Sequence, residues 1–145
     1  MSLFNRQRHE NVIIVGCGCI GAKLASILDA QNDRVSIIDL EAQSFSKLSH
    51  SSNYCLVEGD AMDIDILECA GIKTADIIIV TTNDDNTNIA VAKIAKEYYK
   101  VQQVIACIGD TSKEFAYKQM DIIVISPLIL LMDKIQQVLT KERGV

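Results

Sequence analysis

The chain has one proline, two histidines, no excess of basic residues and no long apolar run. Each shortage excludes something. A single proline together with 49% hydrophobic residues is not the composition of a disordered chain. The longest apolar stretch, residues 127–132, falls far short of the roughly 18 residues of a membrane span, so direct membrane insertion is not expected. Nor is a secretory leader: residues 1–10 are polar and carry Arg6 and Arg8 with no apolar segment behind them. They read as a flexible lead-in. The net charge of −5 offers no basic footprint for a nucleic acid. The acids are scattered, and by themselves mean only solubility. A length of 145 residues suits one domain with a substantial core.

Five cysteines are present, Cys17, Cys19, Cys55, Cys69 and Cys107. An odd number in this composition does not make a disulfide framework. Cys17 and Cys19 have no second Cys/His pair nearby, and His9 and His50 are isolated, so no metal site is expected. Small, compact side chains in a crowded loop explain the pair. A redox role for Cys19, whose thiolate a helix N-terminus would stabilise, is the alternative.

What is there is a stretch at residues 11–21, NVIIVGCGCIG. An apolar run ends in Gly16, Gly18 and Gly21. An amphipathic pattern follows, with Ile20, Leu24, Ile27 and Leu28 on one helical face. Strand, glycine turn and helix form the context in which GxGxxG carries meaning. Gly16 allows the sharp turn, Gly18 lets a pyrophosphate approach the backbone, and Gly21 lets the helix pack closely on the strand. The helix N-terminus offers free N–H groups to an anion.

A second strand, residues 35–38, ends at Asp39, about 20 residues past the glycine turn, the separation of an acid that binds the adenosine ribose. With Glu41 close by and no basic residue at this strand end, NAD is favoured over NADP. The alternative is that Asp39 caps the next helix. Residues 43–50 read as a short polar helix. Strand three, residues 54–57, runs into Glu58-Gly59-Asp60. Residues 63–70 read as a helix that turns Ile66, Leu67 and Ala70 inward and stops at Gly71. Strand four, residues 77–80, is unbroken β-branched sequence, as in a strand buried on both faces. It exits into the polar loop 81–88. The helix after it, to about Tyr99, turns Val91, Ala92, Ala95, Tyr98 and Tyr99 inward and Lys93, Lys96, Glu97 and Lys100 outward. Strand five is 104–108, a capping box at Thr111–Glu114 opens the next helix, and strand six is 122–125. Ser126 and Pro127 start the last helix as N-cap and first residue. Leu128, Leu131, Met132, Ile135 and Leu139 form one apolar face there, for packing on the sheet. Ile129 and Leu130 fall largely outside it, which points to a second buried face and hence a partner.

Strictly alternating strands and helices with short connections predict a Rossmann-like α/β fold. It is a doubly wound parallel sheet of six strands in the order 3-2-1-4-5-6, with helices on both faces. Its ligand edge gathers the glycine turn, Asp39, Asp60 and the 81–88 loop.

The set GCGCIG, SIIDLE, LVEGDAMD, IIIVTTNDDNTNIAVAKIAK and VISP resembles the RCK-N, TrkA-N or KTN nucleotide-binding domains that regulate potassium transporters and channels. The resemblance runs from about Asn11 to about Leu139. Its less widely shared marks are Gly59-Asp60 and the pattern of Thr82, Asp84, Asp85 and Asn88. It implies that Gly16, Cys17, Gly18, Cys19, Ile20 and Gly21 hold the phosphates. It implies further that Asp39 and Leu40 meet the ribose and that Gly59, Asp60 and Ala61 border the adenine. Thr81, Thr82 and Asn83 would lie near the phosphates or a second nucleoside, with Asn88 bracing their loop. The implied ligand is NAD(H), ADP or ATP, bound without turnover. The implied partners are a second copy, or a larger ring, and a membrane-embedded potassium transporter or channel on the cytoplasmic side. Domain limits follow as 11–126 for the nucleotide-binding unit and 127–145 for a pairing helix.

Two departures modify this. Cys19 and Cys107 stand where relatives that bind ATP carry arginines, which favours NAD(H) or ADP over ATP. Many relatives also have a C-terminal RCK-C lobe, so this chain is either a piece of a longer protein or a one-lobe member. A NAD-dependent oxidoreductase fragment without its substrate domain is the alternative in a different class, but no proton donor is evident: His9 lies in the lead-in and His50 on the adenine side. An interaction module with a vestigial nucleotide site is the third.

Overall fold

The structure is a computed structural model that describes residues 9–143. Most of the expected flexible lead-in, residues 1–8, lies outside the described residues. Six parallel strands form one sheet: β1 (Asn11–Val15), β2 (Arg34–Asp39), β3 (Cys55–Glu58), β4 (Ile77–Val80), β5 (Gln103–Cys107) and β6 (Ile123–Ile125). Their order is β3-β2-β1-β4-β5-β6, as the alternation predicted. Among the described residues the α-helices are α1 (Cys19–Ala30), α2 (Ile64–Cys69), α3 (Asp85–Lys93), α4 (Glu114–Lys118) and α5 (Pro127–Glu142).

The central strands explain the doubly covered sheet. β1 and β4 lie side by side, with Val12 opposite Ile77 and Val15 opposite Val80. Because successive side chains alternate faces, Ile13, Val15, Ile78 and Val80 enter one core with Leu67 of α2 and Val91 and Ala92 of α3. Val12, Ile14 and Ile79 enter the other, with Ala25 of α1 and Leu48. Each fully buried isoleucine or valine contributes about 2 kcal/mol of transfer free energy. The unbroken β-branched runs are therefore what holds the middle of the sheet.

Several helical details differ from expectation. In α1 the buried residues are Gly21 and Ala25, with Leu24 and Leu28 beside them, whereas Ile20 and Ile27 are exposed. The close approach at Gly21 turns the 21–25–28 stripe to the sheet and rotates the two isoleucines away. The segment read as a polar helix at 43–50 is a 3₁₀ stretch, Ala42–Lys47. α3 does not continue regularly to Tyr99; its last turn, Ile94–Tyr98, is a π-helix. The wider turn carries Tyr98 out to 69% exposure. It also draws Lys96 inward, where its Nζ donates to the carbonyls of Val101 (3.5 Å) and Gln102 (3.1 Å) and pairs with Asp121 at 3.2 Å. The Thr111 capping box is replaced by Asp110, whose carboxylate accepts from the Ser112 amide and hydroxyl ahead of a 3₁₀ turn.

In α5 the Ser126 hydroxyl accepts from the Ile129 amide at 3.3 Å and Pro127 takes the first helical position, as read from sequence. Its apolar face does not pack on the sheet. None of its residues is buried, and Leu128, Leu131, Met132, Ile135 and Leu139 are each about half exposed. Among the described helices none is long and apolar enough to cross a membrane.

Candidate functional site

The site forms at the C-terminal ends of β1, β2, β3 and β4. Gly16 leaves β1 at φ +101°, a conformation open to glycine, and its amide donates to the Ile38 carbonyl at 2.8 Å. A Cβ on Gly16 would lie 2.6 Å from the Thr81 carbonyl oxygen, and one on Gly21 only 1.9 Å from the Gly16 carbonyl oxygen. These two glycines exist for packing. Gly18 differs: a Cβ there would meet nothing within 4 Å. It is the N-cap of α1, and no side chain caps that helix. The first amides of α1 therefore face space beside an open glycine, a cradle that fits a phosphate.

Asp39 ends β2. One carboxylate oxygen accepts from the Cys17 amide at 2.8 Å and the other from the Glu41 amide at 2.9 Å. It thus stiffens the glycine turn and the bend into the following 3₁₀ stretch, but it does not cap that stretch, whose N-cap is Glu41 with no side-chain cap. Each oxygen retains a lone pair for a hydroxyl donor. Cys17 is buried in this turn; burial first, and then the negative charge of Asp39, push its thiol pKa above the ordinary 9.0, with Lys47 opposing. At the end of β3 the Gly59 amide donates to the Asp39 carbonyl (2.9 Å), Asp60 accepts from the Met62 amide (2.9 Å), and Ala61 is buried.

The loop after β4 is braced from below by Asn88, which is 1% exposed. Its side-chain oxygen accepts from the Thr82 amide and hydroxyl, and its amide nitrogen donates to the carbonyls of Thr82 (3.1 Å) and Cys107 (2.8 Å). Asp85 adds a second tie, accepting from the amides of Gly109 and Asp110 at 2.8 Å each.

These elements enclose a cavity of about 510 Å³, within the range of small-molecule sites. Gly16, Cys17, Gly18, Asp39, Leu40, Gly59, Asp60, Ala61, Thr81, Thr82 and Asn83 all line it. A second cavity, about 740 Å³, shares Gly18, Lys47 and Thr81–Asn83 with the first and continues past Cys19, Ile20 and Cys107 to Leu128. Gly21 lines neither. Neither His9 nor His50 lines either cavity. Among the described residues no group of three or more His, Cys, Asp or Glu side chains could hold a metal ion.

Sequence reasoning assigned no lysine to the site, and Lys23 in α1 lines neither cavity. Lys47 lines both, and its Nζ donates to the Cys17 carbonyl at 3.3 Å. The usable signal was a lysine soon after Asp39, in a segment too irregular to place from periodicity.

Four similarities bear on this geometry. The TrkA-N domain family matches residues 12–127. The Trk system potassium uptake protein TrkA of Streptomyces coelicolor is 35% identical over 112 residues, which are 77% of this chain and 50% of that protein. The chain therefore spans half the length of that relative. Among solved structures, GsuK bound to ADP is 27% identical with a TM-score of 0.76, covering 92% of this chain and 34% of that one. The TrkA-N domain of the inner membrane protein YbaL from Escherichia coli has a TM-score of 0.80 at 16% identity, covering 92% of this chain and 98% of that one. This last likeness is one of fold.

Proposed function

The chain belongs to the TrkA-N domain family, and on that premise we propose that it is a regulatory nucleotide-sensing domain of a potassium uptake system or channel. It binds NAD(H) or ADP without turnover, on the cytoplasmic side of the membrane, and reaches the membrane through its pore partner. The observation that carries this reading is the convergence of four separate strand ends on one cavity: the glycine turn, Asp39, Asp60-Ala61 and Thr81–Asn83.

The roles follow from the chemistry of each wall. The diphosphate lies on the open face of Gly18 and the uncapped amides of Cys19, Ile20 and Gly21. The Asp39 carboxylate accepts from ribose hydroxyls beside Leu40, and the adenine rests against Gly59, Asp60 and Ala61. Thr81, Thr82 and Asn83 face the phosphates or, in a dinucleotide, the second ribose, for which the adjoining cavity has room. Cys19 and Cys107 put no charge in that cavity, which favours two phosphates over three. The absence of a histidine from both linings supports binding over hydride chemistry. The exposed apolar α5 pairs with a second copy, in a dimer or larger ring, and so transmits the ligand state. A ligand shifts such an assembly only by binding one arrangement better than another.

Calorimetric titration with ADP, ATP, NAD and NADH tests the reading. Saturable binding of ADP or NAD, tighter than that of ATP, is expected. No heat from any of the four at millimolar concentration would overturn it.

A further inference from the structure

We propose that Lys47 is the cation that holds the nucleotide's phosphates, delivered across the cleft from the 3₁₀ segment Ala42–Lys47 to the glycine turn. The inference rests on the nucleotide reading above and assigns the charge that this reading lacks. Four carboxylates, those of Asp39, Glu41, Asp60 and Asp84, line the main cavity. Lys47 is the only lysine or arginine among the described residues lining either cavity. A diphosphate in that acidic setting needs more than the partial charge of one helix N-terminus, equivalent to about half a unit.

The position of Lys47 suits this task. Its ammonium group donates to the carbonyl of Cys17, the residue between Gly16 and Gly18, at 3.3 Å. That bond is long, and the side chain belongs to an exposed residue. An ammonium has three donors, so it can keep the Cys17 carbonyl while another N–H reaches a phosphate oxygen, or leave the carbonyl altogether. Because Lys47 stands on the rim shared by both cavities, it meets the phosphates whether or not a second nucleoside follows. Lysine acts here as a point charge, so charge matters more than the shape of the head group.

The test compares ligands with and without phosphate. Adenosine and ADP are titrated, by nuclear magnetic resonance, into the unaltered chain, Lys47→Gln and Lys47→Arg. Lys47→Gln is expected to weaken ADP about tenfold, as for loss of one charge-assisted hydrogen bond, and to leave adenosine unchanged. Lys47→Arg should restore most of the ADP affinity. A lysine that only pins its segment to the turn would lower the melting temperature and leave the ADP-to-adenosine ratio the same in all three proteins; that result overturns the proposal. Failure of the unaltered chain to bind ADP overturns the nucleotide reading itself, and Lys47's assignment with it.

Discussion

Gly18 and Gly21 stand three residues apart and have opposite physical duties. At Gly21 an added methyl would press a backbone oxygen 1.9 Å away, and neither helix nor turn can yield. Gly21→Ala should therefore cost about 3 kcal/mol or more of stability, read as a lower denaturant midpoint. At Gly18 the same methyl meets nothing. Gly18→Ala should keep its melting temperature within the scatter of surface substitutions and bind ADP at least about tenfold more weakly, because the methyl occupies the phosphate's approach. Equal stability losses in the two variants would contradict this division. Cys17 and Cys19 form a similar contrast. Cys17 is buried and its thiol is pushed above 9.0 by burial and by Asp39, while Cys19 is exposed. At about pH 8 the thiolate fraction of Cys17 is thus reduced, and iodoacetamide should label Cys19 well before Cys17. Mass-spectrometric labelling of both at one rate would refute the burial. The distinct duties of the glycines were legible in their spacing, since each follows from strand, turn and helix being neighbours in sequence. Lys47 was not, since its contact with Cys17 spans 30 residues and depends on the path of a short irregular segment.

At the scale of elements, the sharpest case is α5. Its N-cap Ser126 and its first residue Pro127 were visible because they are local signals. Its apolar stripe was visible too, but a stripe does not say what covers it. Here the sheet does not: the helix has no buried residue. Leu131 is 58% exposed in the middle of the stripe; under the proposed pairing through α5, Leu131→Asp should convert the dimer to a monomer, read as a halved mass in light scattering. An unchanged mass would contradict the pairing role of the helix. The end of α3 taught the converse. A regular 3.6-residue period buries Tyr98 and exposes Lys96, and the π turn at Ile94–Tyr98 reverses both, which no periodicity count can foresee. The same turn sets Tyr99 against Glu68 at 3.0 Å. Desolvation, and then the hydrogen bond and charge of Glu68, push the Tyr99 hydroxyl up to about 12. Glu68→Gln removes the charge and should bring that titration down toward the ordinary 10.0, followed by tyrosinate absorbance.

For the whole molecule, the fold was readable because the strands are short, β-branched and joined by helices. Chain handedness leaves few ways to wind such units into one parallel sheet. The order then fixed which strand ends meet, and with them the residues that share the cavity. The loop after β4 and the end of β5 are also joined, since Asn88 bonds Thr82 on one side and the Cys107 carbonyl on the other. Through the Ile108 amide, which donates to the Ile125 carbonyl at 3.0 Å, that tie reaches the residue before Ser126. A short run of hydrogen bonds thus links the cavity wall to the start of α5, which is what the proposed sensing role needs. The most direct test is the electron density of crystals grown with ADP or NAD. The account predicts a diphosphate over Gly18, ribose hydroxyls on Asp39 and adenine beside Ala61, with a second ribose past Thr82 if the dinucleotide is held. Density for the nucleotide elsewhere on the chain, with the glycine turn bare, would contradict it.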